Sequence, residues 1–174
     1  EDRLKGAAPT RGKAAKDIME AAGGALDVVR TTARRLRPAA LDYLSLADTF
    51  RGTLATWCSY KPKVASSFDT TGDIESLPEE FRVILFRILQ ESLTNIAKHA
   101  DATLVAVRLD ATGNGVTLTV EDNGKGMDVE ESSAGFGLLS IKERTHALNG
   151  DFQIESESGH GTRLSVRLPI SRGR

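Results

Sequence analysis

The chain has 174 residues, 40% of them hydrophobic, a formal net charge of −1 and a single cysteine. That length fits one domain with an appendage or two small domains, and the apolar share suffices for a packed core. The near-zero charge gives no sequence-wide attraction for nucleic acid. Lone Cys58 excludes an internal disulfide and a thiolate metal site, and neither a signal peptide nor an 18-residue apolar run stands in the sequence. The expectation is a cytoplasmic polypeptide without membrane contact of its own, whose parent protein can still be membrane-anchored.

Residues 1–12 are small and polar and read as a disordered leader. From Lys13 to Arg37 a helix is expected. Ile18, Ala22, Ala25, Val29, Ala33 and Leu36 recur at close to heptad spacing, Gly23-Gly24 weakens the middle, and Pro38 ends it. So narrow an apolar seam is incomplete alone and asks for a partner helix, which a second copy of the chain can supply. Leu41 to Tyr60 reads as one further helix, with Trp57 a packing residue. Residues 63–74 read as a strand around VASSF, then a turn at Thr71-Gly72.

Leu77-Pro78-Glu79-Glu80 opens the clearest helix, with proline and two acids in its first turn. Phe81, Ile84, Leu85, Ile88, Leu89, Ser92 and Ile96 give its buried stripe. Arg87, Glu91, Asn95 and His99 stand four apart and line a second stripe beside it. A carboxylate and an amide one turn apart can face the same cleft. Strands at Leu104–Asp110 and Val116–Val120, joined at Gly113-Asn114-Gly115, form a hairpin. A helix over Ser140–Leu148 ends at Asn149-Gly150. Phe152–Ile154 and Leu164–Leu168 alternate as strands. This order predicts an α+β fold: a two-layer α/β sandwich whose mixed, mostly antiparallel sheet carries its helices on one face.

The richest stretch is Val116–Leu138. A β-branched run ends in Asp122, a turn follows through Asn123-Gly124-Lys125-Gly126-Met127, and Gly135-Phe136-Gly137-Leu138 opens a helix. A carboxylate at a strand end can accept from an exocyclic amine. Glycines admit close backbone approach, and a glycine-rich helix start offers N–H groups to phosphate. The Walker A motif fails because Gly126 follows Lys125, and the dinucleotide fingerprint fails after Gly126. An EF-hand loop counted from Asp122 fails because Gly124, Gly126 and Ser133 stand at ligand positions. The residues point to a nucleotide held by some other motif.

Four segments in order, ESLTNIAKHA (91–100), VEDNGKGM (120–127), GFGL (135–138) and GHGT (159–162), resemble the N box and three glycine boxes of the Bergerat-fold ATPases. In detail, Gln90–Asn95 with Lys98-His99-Ala100, Gly137–Arg144 and the upstream RRLRPAAL (34–41) resemble sensor histidine kinases of the nitrate-sensor type. The resemblance spans residues 13–170. It implies that 13–40 is part of a dimerisation hairpin lacking the phospho-acceptor helix, that 41–170 is the ATP-binding domain, and that 171–174 is a tail.

It further implies roles for individual residues. Asp122 would accept the adenine amino group, with Gly124 and Gly126 letting the base lie on the backbone and Thr162 supporting Asp122 through its hydroxyl or a water. Asn95 would ligate Mg²⁺, Lys98 and His99 would neutralise phosphate, and residues 128–134 would form a lid. Gly135, Gly137 and Leu138 would serve as hinge and phosphate-facing backbone, and Glu91 as general base or polarising group. The implied partners are ATP, a response regulator and a second copy of the chain through the N-terminal helices. None of His99, His146 and His160 stands in the acceptor context of an acidic residue following His. The acceptor therefore lies outside these residues, or the parent protein lacks one. Two other readings keep the fold: a regulatory module of the anti-sigma, serine-kinase kind, and a degenerate ATP-binding domain without turnover.

Overall fold

The computed structural model describes Pro38 and residues 40–127 and 136–170. The leader, the hairpin helix of 13–37, the lid of 128–134, Gly135 and the 171–174 tail lie outside the described residues. In chain order the elements are α1 (Ala40–Tyr43), α2 (Leu46–Ser59), β1 (Ala65–Thr71), α3 (Glu79–His99), β2 (Leu104–Thr112) and β3 (Gly115–Asp122). They continue with α4 (Phe136–Ala147), β4 (Asp151–Glu157) and β5 (Gly161–Pro169).

The five strands form one sheet in the order β1-β2-β3-β5-β4, with β1 parallel to β2 and all other pairs antiparallel. α3 is the crossover that a parallel β1–β2 pair demands. Period-two alternation sends Val105, Val107 and Leu109 of β2, Val116, Leu118 and Val120 of β3, and Leu164, Val166 and Leu168 of β5 to one buried face. Against that face lie Phe50 of α2, Leu85, Ile88 and Leu89 of α3, and Ile141 of α4. The opposite face pairs charge with charge. Arg108 stands beside Asp69, Arg163 between Glu121 and Glu155, and Arg167 beside Asp151. Arg163 closes on Glu121 at 2.8 Å. That face is solvated, as the two-layer expectation requires.

Single-helix continuity over Leu41–Tyr60 does not hold. Ser45 breaks it: its side chain accepts from the Asp48 N–H at 3.0 Å and caps a new helix, α2. The carboxylate of Glu75, 29 residues on, accepts the Leu46 and Ala47 N–H groups at 2.9 and 3.1 Å. α2 then packs Phe50 between Phe68 and Phe86, at ring separations of 5.4 and 6.4 Å. Trp57 is the expected packing residue, donating from its indole to the Leu93 carbonyl at 3.1 Å.

α3 carries Glu79 and Glu80 in its first turn and Lys98 and His99 in its last, matching both ends of its dipole. Pro78 is its N-cap rather than a residue of the first turn. Asp101, at φ 51°, takes the left-handed position just past the end. α4 ends as foreseen, with Asn149 (φ 54°) in the left-handed conformation. The Asn149 and Gly150 N–H groups close back on the carbonyls of His146 and Thr145, a Schellman turn. The strands run longer than the alternation alone marks, because pairing continues to Asp122 and down to Glu157 and Gly161.

Candidate nucleotide site

Two groups of residues make up the candidate site. The first is built on strand ends. The β3–β5 register sets Asp122 opposite Thr162. The Asp122 carboxylate accepts the Gly124 N–H at 2.8 Å and the Thr162 backbone N–H. Burial pushes its pKa above the ordinary aspartate range, and the two N–H groups only partly offset that. Thr162 therefore supports Asp122 through its backbone. Its hydroxyl, expected in that role, lies instead 3.0 Å from Ser156 Oγ. The antiparallel pairing leaves the Thr162 N–H, not its side chain, aimed at β3.

The glycines of the following turn are needed for a reason other than an approaching base. A Cβ on Gly124 would lie 2.2 Å from the Ala100 carbonyl oxygen at the end of α3. Gly126 has φ 65°, and a Cβ there would meet the Glu157 carbonyl oxygen at 2.0 Å. Backbone bonds lock the same turn. Lys125 N–H donates to Ala100 and Gly159 N–H to Lys125, each at 2.7 Å. Asn123 Oδ1 accepts from the Thr103 and Leu104 N–H groups at 2.9 and 2.8 Å. An open cleft of about 440 Å³ lies here, with Asp122, Ser156, His160 and Thr162 in its wall.

The second group is built on helices. Glu91 and Asn95, one turn apart on α3, are both half-buried and face Gly137 in the first turn of α4. A Cβ on Gly137 would lie 2.7 Å from Glu91 Oε1 and 3.0 Å from Asn95 Oδ1. The absence of a side chain brings the α4 N-terminus, with first-turn N–H groups that lack intrahelical acceptors, onto the carboxylate and amide. Glu91 and Asn95 are not part of the cleft wall at the strand ends, so the site has two separate ends.

Leu138 packs half-buried against the core and fixes α4 rather than facing outward. Lys98 and His99 are exposed in the last turn of α3. His146 and His160 are exposed as well. Among the described residues no three His, Cys, Asp or Glu side chains gather as a metal site. A hard cation bound here would take Asn95 Oδ1 as a protein oxygen and draw its other ligands from phosphate and water, the usual arrangement for Mg²⁺. The sequence reading missed Asn123 and Ser156. Asn123 was visible as an Asx residue directly after a strand. Ser156 carries no local signal, because its partners come from two other segments, the turn at Met127 and the start of β5.

Residues 82–172 match the family described as histidine kinase-, DNA gyrase B- and HSP90-like ATPases, slightly more than half of the chain. The chain belongs to that ATPase family. Among the curated relatives of this ATPase, the signal transduction histidine-protein kinase/phosphatase UhpB of Salmonella typhimurium is 40% identical over 84% of the chain. Its counterpart DegS of Bacillus subtilis is 38% identical over 78%. The chain spans 29% and 37% of the length of those two relatives. The histidine kinase domain of a blue-light-activated histidine kinase from Erythrobacter litoralis shares the fold. Its TM-score is 0.58 at 20% identity, over 74% of this chain and 63% of that one. The described region is thus an ATP-binding domain similar to the corresponding part of these histidine kinases. Among the described residues no helix is long and apolar enough to cross a membrane.

Proposed function

We propose that this domain transfers the γ-phosphoryl group of Mg-ATP to a histidine other than His99, His146 and His160, from which a response-regulator aspartate receives it. The observation that carries the reading is the meeting of Glu91, Asn95 and the α4 N-terminus at Gly137, with Asp122 held on the neighbouring strand end. Asp122 accepts the adenine amine at one end. Asn95 and the first-turn N–H groups of α4 hold the phosphates at the other, with Lys98 and His99 adding positive charge at the rim. Mg²⁺, when bound through Asn95, neutralises phosphate charge. Glu91 accepts a proton from, or polarises, the incoming imidazole. Leu138 anchors the helix that presents Gly137. The domain works in the cytoplasm, where ATP and regulator are found, and in the full-length protein pairs with a second copy through the region that precedes Pro38.

The test is calorimetric titration with Mg-ATP and Mg-GTP, followed by transfer to an acceptor hairpin supplied separately. Selective ATP binding and transfer are expected. Binding of neither nucleotide overturns the reading.

A further inference from the structure

We propose that Ser156 determines base specificity by fixing which way the Thr162 hydroxyl points its proton; the inference rests on the nucleotide reading of Asp122 given above. Ser156 Oγ has three close neighbours. It accepts the Met127 N–H at 2.9 Å, approaches the Gly161 carbonyl oxygen at 2.9 Å, and lies 3.0 Å from Thr162 Oγ1. A serine hydroxyl owns one proton and two acceptor lone pairs. Two oxygens at 2.9 Å need a proton between them, and a carbonyl has none to give, so the Ser156 proton goes to Gly161. The Met127 N–H takes one Ser156 lone pair. The remaining contact needs a proton too, and only Thr162 can supply it.

Thr162 is thereby held as a donor towards Ser156, with both of its own lone pairs turned away. Beside it, Asp122 is an acceptor. In a cleft also lined by His160 and Arg163, the pair Asp122 and Thr162 presents acceptors only. Adenine offers the N6 amine, a donor, while guanine offers O6, an acceptor, at the same edge. An acceptor-only pair attracts the first and repels the second, so discrimination comes partly from a built-in mismatch. The Gly161 geometry maintains the arrangement. Its φ of 82° and its close packing on the Asp122 carbonyl, which a Cβ would meet at 2.0 Å, keep the Gly161 carbonyl beside Ser156. Ser156 is a positioning residue: it acts on the base through Thr162.

The experiment is titration of the whole chain with Mg-ATP and Mg-GTP, reading the ratio of the two affinities. In Ser156→Ala the Thr162 hydroxyl is free to rotate and donate to O6. The ATP-to-GTP preference is expected to fall about tenfold, the size of one neutral hydrogen bond exchanged for a mismatch. Ser156→Thr keeps the hydroxyl and is expected to retain the preference. Equal weakening of both nucleotides, or an unchanged ratio, in Ser156→Ala overturns the inference and leaves Ser156 a stitch between strands. Thr162→Val removes the hydroxyl itself and tests the same claim should Ser156→Ala not fold. Its ratio must fall as well, and an unchanged ratio again overturns it. Asp122→Asn separates the two levels. Undiminished ATP binding there sinks the pocket, whereas lost ATP binding there with an unmoved ratio in the Ser156 and Thr162 variants sinks only the serine's role.

Discussion

The two ends of the site are built from different materials. At the base end the constraints run mainly through backbone: Asp122 is held by N–H groups of Gly124 and Thr162, and Gly124, Gly126 and Gly161 each lie against a carbonyl of another segment. At the phosphate end the contact is between side-chain termini, Glu91 Oε1 and the Asn95 amide, and one glycine of a helix start. Backbone packed on backbone cannot yield without moving a strand or helix. Side-chain tips swing by rotamer changes. The base end is accordingly a fixed reader, and the phosphate end a surface that can rearrange as phosphates arrive and leave.

The contrast can be broken apart by mutation. Glu91→Gln is expected to keep ATP binding and lose transfer by roughly 10²- to 10⁴-fold, the range for a general base. Single-turnover phosphotransfer beside calorimetry checks it, and undiminished transfer would remove Glu91 from the chemistry. Asp122→Asn is expected to do the reverse. It should weaken ATP binding by roughly a hundredfold, as for loss of a charge-assisted bond, with the fold intact because the residue sits at a strand end.

A matched glycine pair tests the material difference itself. Gly124→Ala is expected to cost about 3 kcal/mol of stability, since its Cβ strikes backbone. Gly137→Ala is expected to cost less than about 1 kcal/mol, because only flexible side-chain ends must yield, yet to impair transfer. Chemical denaturation of both variants decides, and equal costs would erase the distinction.

Acid should act mainly at the base end. Because burial raises the pKa of Asp122, it protonates at a higher pH than an ordinary aspartate, and ATP affinity should weaken as pH falls through that raised value. The stability term has the opposite sense. A folded pKa above the unfolded one favours the fold below the unfolded pKa, and that benefit disappears as pH rises through the folded pKa. On acidification through the raised folded pKa, ATP affinity should therefore fall while this residue's contribution to stability grows, and Asp122→Asn should remove both dependences.

The smallest effect concerns Ser92, whose buried hydroxyl has no hydrogen-bond partner. Ser92→Ala is expected to raise stability by about 1 kcal/mol, readable as a higher denaturation midpoint. A loss of stability would show that the hydroxyl is satisfied in solution.

Much of this was legible in the amino-acid order. The stripe from Phe81 to Ile96 repeats with the helical period, the inward residues of β2, β3 and β5 alternate, and Asn149-Gly150 stops α4. Glu91 and Asn95 shared a face before any coordinates, because four residues are about one turn. Such features depend on neighbours within a few positions, where chain geometry leaves little choice. Other features depended on segments far apart in the chain. Glu75 reaches across 29 residues to the start of α2 and, with Ser45, divides what reads as one helix. The glycines of the Asp122 turn read as room for a base, but a neighbouring carbonyl is what excludes a side chain there. Thr162 was found by motif, while its division of labour, backbone to Asp122 and hydroxyl to Ser156, came only from strand register. By itself the sequence determined which residues turn inward and where the chain bends, because sterics and periodicity act locally. Tertiary structure decided which bends meet, because that choice depends on register and packing summed over the whole sheet.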